Sequence, residues 1–219
     1  IICSRFVPSS PPSPNIGGTV SSTVVSCRWV DKFIGIYYRS GMENTASLEL
    51  LPDDVLKEIY LLEEHAKRLE TRERAQEEFM SYVHHVYDNF IEGTHHRIIA
   101  EKLERIANGE LKRLIVNMPP RHSKSEFASY LMPSWFLGRN PKLKIIQATM
   151  NTELAVRFGR KVRDLIADPI YKEIFPNTDL KQDSQAAGRW ETSAGGEYFA
   201  AGVGAAMTGR GADLLIIDA

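Results

Sequence analysis

The stretch that decides the fold of this chain reads Met118-Pro119-Pro120-Arg121-His122-Ser123-Lys124-Ser125. An apolar run at residues 111–116 precedes it and predicts a strand, and the pattern from Lys124 to about Leu137 predicts a helix. Loops between a strand and a helix commonly bind phosphate, because the first backbone N–H groups of a helix have no partner within it. Residues 118–125 are therefore a candidate phosphate loop.

The order of side chains in the phosphate loop supports nucleotide chemistry. In such loops a lysine reaches the terminal phosphates and the next hydroxyl binds Mg²⁺, and Lys124 and Ser125 stand in that order. The common pattern G-x-x-x-x-G-K-[ST] has two glycines where this chain has Met118 and Ser123. Alone, the Lys-Ser pair also fits an ordinary solvated helix start. If the Ser123 backbone needs a positive φ, strain is stored at this position, where the common loop has glycine.

A repeated strand–helix pattern follows the phosphate loop. Residues 143–149 predict a strand, residues 152–166 a helix, and residues 188–203 a hairpin around Gly195-Gly196. Strands that alternate with helices of this length predict parallel pairing and an α/β fold with a mostly parallel sheet flanked by helices.

The apolar strand at residues 214–218 ends in Asp218. Parallel-sheet ATPases place a carboxylate beside Mg²⁺ in this way, although a buried strand followed by a turn aspartate is a frequent alternative. Arg121 could hold phosphate oxygens or stabilise charge in the transition state, or simply cover a helix end. Taken together, these features predict a site for ATP and Mg²⁺. Its nucleotide-binding residues are Pro120, Arg121, His122, Ser123, Lys124 and Ser125; its catalytic residues are Arg121, Lys124 and Asp218; its metal ligands are Ser125 and Asp218.

The amino-acid composition of the chain changes at about residue 42. Residues 1–41 are rich in proline, serine and glycine and carry four basic side chains and one acidic, whereas residues 51–80 carry fourteen charges. We predict a flexible or non-native leader at 1–41, a helical region at 42–109 and the nucleotide-binding core at 110–219. The pattern of apolar residues in the helical region predicts three helices, the last of which ends at Asn108-Gly109. We expect His84-His85 and His95-His96 to lie on helix surfaces.

The overall composition excludes several functional classes. The 219 residues are 43% apolar and carry a formal net charge of −1, which argues against a uniformly basic DNA coat. No apolar run approaches the roughly 18 residues of a membrane span, so no membrane partner is expected. Two cysteines cannot form a disulfide framework.

These motifs resemble the large terminase subunit of tailed double-stranded DNA bacteriophages, the ATPase of the genome-packaging motor. The resemblance rests on residues 119–125, on Trp190-Glu191-Thr192 with Gly195-Gly196, and on residues 208–213 leading into the last strand. It implies a P-loop NTPase of the ASCE type and assigns Lys124 and Ser125 to phosphate and Mg²⁺, Arg121 to phosphate sensing and Asp218 to the metal. It also places the adenine near residues 79–96.

The resemblance implies further properties of the whole protein. The expected partners are double-stranded DNA, the portal and the small terminase subunit, with a homo-oligomeric ring during packaging at the procapsid in the host cytoplasm. In the family an acidic residue that activates water follows the strand aspartate, and a nuclease domain comes later; here Ala219 follows Asp218. The strand at residues 214–218 corresponds to the family's Walker B strand, so we expect a core truncated at this strand, with impaired hydrolysis. The alternatives are another nucleic-acid-stimulated P-loop ATPase, such as a helicase, or a nucleotide-binding module without hydrolysis.

Overall fold

The computed structural model describes residues 2–4, 52–205 and 209–218. The chain divides into two compact units, one of residues 1–9 and 68–219 and the other of residues 10–67. Most of the predicted leader lies outside the described residues, and the predicted domain boundaries stay predictions.

Helices of the described residues follow the predicted pattern closely. Their bounds are α1 Asp53–Glu77, α2 Phe79–Val86, α3 Thr94–Ala107, α4 Met132–Arg139, α5 Thr152–Ala167 and α6 Pro169–Ile174, with a π-helical segment at Glu126–Leu131 that runs into α4. The predicted stop of α3 is confirmed, since Asn108 caps it and Gly109 has a φ of 76°. Helix α6 was not predicted. Among the described residues, no helix combines the length and apolarity needed to cross a membrane.

Seven strands form one sheet in the described part of the chain, in the order β2-β1-β7-β3-β6-β5-β4. Their bounds are β1 Ile2–Ser4, β2 Arg113–Leu114, β3 Lys144–Thr149, β4 Leu180–Ala186, β5 Arg189–Thr192, β6 Glu197–Gly202 and β7 Leu214–Asp218. The predicted strands at 143–149 and 214–218 and the hairpin within 188–203 are confirmed. The class is mixed α/β.

The prediction of a mostly parallel sheet is wrong for the described strands. Strand β3 pairs in parallel with β6 and β7, whereas β4–β5, β5–β6, β1–β2 and β1–β7 are antiparallel. Short turns join β4 to β5 and β5 to β6, and strands joined by a short turn run in opposite directions. The parallel pairing is therefore confined to the three strands at the centre.

The strand predicted at residues 111–116 is reduced to Arg113–Leu114. Its partner is β1, which lies between β2 and β7 and is antiparallel to both. Ile2–Ser4, which fall within the predicted leader, belong to the sheet. Because β1 opposes both neighbours, β2 and β7 themselves run in the same direction.

Two layers of buried side chains make up much of the core of the described residues. Helix α5 covers one sheet face, where the Trp190 indole stacks on Tyr198 at 4.8 Å between centroids and donates to the Gly159 carbonyl at 3.0 Å. A Cβ on Gly159 would lie 2.6 Å from the Ala187 carbonyl oxygen, so glycine is needed for this approach. Aromatic side chains of α2, α4, α6 and the π-helical segment form the second layer; they include Phe79, Tyr82, Phe127, Trp135 and Tyr171, all fully buried.

Candidate nucleotide-binding site

The phosphate loop has two residues in the left-handed backbone region. Arg121 has a φ of 62° and Ser123 a φ of 61°. Ser123 therefore meets the condition under which strain is stored at this position. A helical backbone begins at Lys124, and the Phe127 N–H donates to the Ser123 carbonyl at 2.9 Å. The loop therefore takes at Ser123 a conformation that glycine adopts without strain, at a cost of about 1–2 kcal/mol for serine.

We expect Ser123→Gly to be tolerated or to raise the free energy of unfolding by up to about 1 kcal/mol, because relief of strain exceeds the added chain entropy of glycine. Ser125 has a φ of −71°, so Ser125→Gly is the matched control and lowers stability by about 1 kcal/mol. Urea unfolding of both variants measures the difference. Loss of nucleotide binding in Ser123→Gly would show that the Ser123 hydroxyl itself is required.

The structure brings Lys124 and Asp218 together from distant parts of the sequence. Lys124 opens the helix after the phosphate loop and Asp218 ends β7, and Lys124 Nζ lies 3.9 Å from Asp218 Oδ1. The Lys124 side chain keeps 32% of its surface exposed, whereas that of Asp218 keeps 9%. The cation is accessible to a ligand while the carboxylate is nearly enclosed.

The second oxygen of Asp218 has a partner that the sequence analysis missed. Ser129 lies in the π-helical segment, is fully buried, and its Oγ donates to Asp218 Oδ2 at 2.9 Å. Asp218 Oδ2 therefore faces the π-helical segment, and Asp218 Oδ1 faces Lys124 at the start of the same helix. A single serine within a helical pattern carries no motif, so the sequence offered no direct signal for this contact.

The remaining predicted site residues lie along the loop with few side-chain contacts. His122 Nδ1 is 2.9 Å from the Pro120 carbonyl oxygen, which closes the turn locally. Arg121 is exposed and Ser125 is half-buried. Ser125 and Asp218 supply hydroxyl and carboxylate oxygens, the donor chemistry that Mg²⁺ takes alongside phosphate and water.

The surface interpretation of His95-His96 is wrong for His96, which is only 6% exposed. Its ring stacks on Phe127 at 5.0 Å between centroids, and its Nδ1 accepts from the Gly93 N–H at 2.9 Å. The His95 ring lies 5.8 Å from that of His122, so this corner of α3 adjoins the phosphate loop. Burial lowers the pKa of His96, and the neighbouring charges of His95 and His122 lower it further against the opposing effect of Glu92.

We expect the protein to lose stability as the pH falls below about 6.5, the ordinary pKa of histidine, because the unfolded chain then binds a proton at His96 more readily than the folded chain does. Above that pH the stabilisation is fully present. In His96→Gln the side chain keeps an acceptor for the Gly93 N–H but cannot titrate. Urea unfolding between pH 7.5 and 5 should therefore show a shallower slope for this variant, and equal slopes would contradict the assignment.

No protein-family model, curated protein or solved structure matches the chain.

Proposed function

We propose that this chain binds Mg-ATP at the phosphate loop as the ATPase part of a DNA-packaging terminase large subunit, and that it hydrolyses ATP slowly because Ala219 follows Asp218. The observation that carries the proposal is the approach of Lys124 Nζ to within 3.9 Å of Asp218 Oδ1, at the end of β7. A lysine after a phosphate loop and a carboxylate at a strand end are the two charged groups that P-loop ATPases require at one place.

The proposed fold is that of a P-loop NTPase of the ASCE type. Strands β2, β7, β3 and β6 share one direction, since β1 is antiparallel to both β2 and β7. The phosphate loop follows β2, and Asp218 lies at the carboxyl end of β7. Ligands of α/β sheets bind beyond the carboxyl ends of parallel strands, which supports a nucleotide at this edge.

The chemistry proposed for the site depends on positioned charge. Bound Mg²⁺ would neutralise negative charge on the β- and γ-phosphates, with Ser125 and Asp218 as its protein ligands. Lys124, now beside Asp218, would exchange that contact for a phosphate oxygen. The exposed Arg121 would supply a second cation, and its planar guanidinium suits two phosphate oxygens at once.

The terminase-like motifs are the basis for proposing a role in DNA packaging. Two of these motifs lie on elements joined to the central strands: residues 190–192 in β5, and residues 209–213, which lead into β7. The proposed partners are double-stranded DNA, the portal, the small terminase subunit and further copies of the chain in a ring. The proposed place of action is the procapsid in the host cytoplasm.

Two measurements test the proposal. Calorimetry of the wild-type chain should detect Mg-ATP binding, and absence of binding would overturn it. Fluorescence anisotropy should show that the chain binds a labelled DNA duplex more tightly than a labelled single strand. The affinity should fall as the salt concentration rises, because contacts to the phosphates release counterions. Preference for single strands would favour a helicase-like ATPase instead.

A non-hydrolysing nucleotide-binding module is the second candidate. Ala219 directly follows Asp218, where a water-activating carboxylate stands in the terminase family. Binding without turnover, even after an acidic residue is introduced at position 219, would favour this candidate.

A further inference from the structure

The two oxygens of the Asp218 carboxylate have separate neighbours. Oδ2 accepts a hydrogen bond from Ser129 Oγ at 2.9 Å, and Oδ1 lies 3.9 Å from Lys124 Nζ. Ser129 is fully buried, so its hydroxyl is fixed by its surroundings. The carboxylate is thereby held with one oxygen against the helix and the other toward the phosphate loop.

Ser129 lies in a segment that departs from regular α-helical geometry. The segment Glu126–Leu131 is π-helical, and the Met132 N–H donates to the Phe127 carbonyl five residues earlier. The next residue, Pro133, has no N–H to donate, which favours a departure from regular α-helical bonding just before it. Such widened turns occur in short pieces and are frequent at functional sites.

A second contact fixes the outer side of the π-helical segment. Lys161 of α5 donates to both carboxylate oxygens of Glu126 at 2.9 Å, and its ammonium lies 4.3 Å from the Tyr130 ring centroid. The segment is therefore attached to α5 on one side and to Asp218 on the other.

We propose that Ser129 is a positioning residue for Asp218, holding Oδ2 so that Oδ1 stays directed at Lys124 and the phosphate loop. This inference rests on the proposed function, in which Asp218 helps to hold Mg²⁺. Without the Ser129 hydroxyl, a nearly enclosed carboxylate loses its donor, and such a group turns toward the remaining cation. The Lys124–Asp218 pair then tightens and competes with both Mg²⁺ and phosphate.

Ser129→Ala tests the role, because it removes one oxygen from a buried site without adding volume. We expect the Mg²⁺ concentration that half-saturates binding of a fluorescent ATP analogue to rise about 10- to 100-fold, the usual effect of losing a group that orients a metal ligand. Ser134→Ala is the matched control: Ser134 is also fully buried, but it bonds to the Leu131 carbonyl and the Tyr82 hydroxyl. It should change melting temperature and leave the Mg²⁺ dependence unaltered.

A readout without nucleotide separates this inference from the proposed function. If Ser129 acts through Asp218, the melting-temperature changes of Ser129→Ala and Asp218→Asn should be non-additive in the double variant. Additive changes, or wild-type Mg²⁺ dependence in Ser129→Ala, would overturn the positioning role while nucleotide binding stands. Absence of Mg-dependent binding in the wild-type chain would overturn the proposed function and the positioning role with it.

Discussion

Lys124→Ala should abolish detectable binding of Mg-ATP. Lys124 opens the helix after the phosphate loop, and its ammonium is accessible beside Asp218. A hydrogen bond to a charged group contributes about 1.5–3 kcal/mol, which is roughly 10- to 150-fold in affinity. The variant also leaves the Asp218 carboxylate without this cation, so that its negative charge repels the phosphates. Isothermal titration calorimetry with Mg-ATP measures the loss.

Lys181→Ala provides the control for a general effect of removing positive charge. Lys181 lies on β4, at the far edge of the sheet, and pairs with Glu191 at 3.1 Å. Nucleotide affinity should stay within a few-fold of wild type in this variant. Equal affinity in Lys124→Ala and wild type would remove the phosphate loop from the nucleotide site.

Local sequence patterns were sufficient to predict α5 and β3, which follow the phosphate loop in the chain. Buried positions in α5 recur along one face, and residues 145–149 of β3 are all buried, so each element is specified largely by its own residues. The positive φ of Ser123 is likewise a local property, at a position where the common loop has glycine.

Contacts between distant segments could not be predicted in this way. The pairing of β1 with β2 joins residues 2–3 to residues 113–114, and no periodicity in either segment encodes it. Ser129, which donates the hydrogen bond to Asp218, likewise lies in a π-helical turn, and this turn departs from the 3.6-residue period that sequence analysis assumes. The burial of His96 could have been predicted from the sequence. His96 shares a helix face with Ala100 and Leu103, which follow it at spacings of four and seven residues.

Ala219→Glu should raise ATP turnover by about 10²- to 10⁴-fold, the usual contribution of a positioned general base. The residue directly follows Asp218, where an acidic side chain in the terminase family activates the attacking water. Asp218 and Lys124 are present in both proteins, so affinity for Mg-ATP should change little. We therefore expect a higher kcat with a nearly constant Kd, measured by phosphate release and by calorimetry.

Ala219→Gln separates the charge of the new side chain from its size. Glutamine has the shape of glutamate but cannot accept a proton from water, so turnover in this variant should stay near that of the wild-type chain. A rate increase in both variants would mean that the side chain acts by packing and not as a base. If the wild-type chain already hydrolyses ATP as fast as Ala219→Glu, another carboxylate must activate the water, and Asp218, already held by Ser129 beside the phosphate loop, would be the first to test.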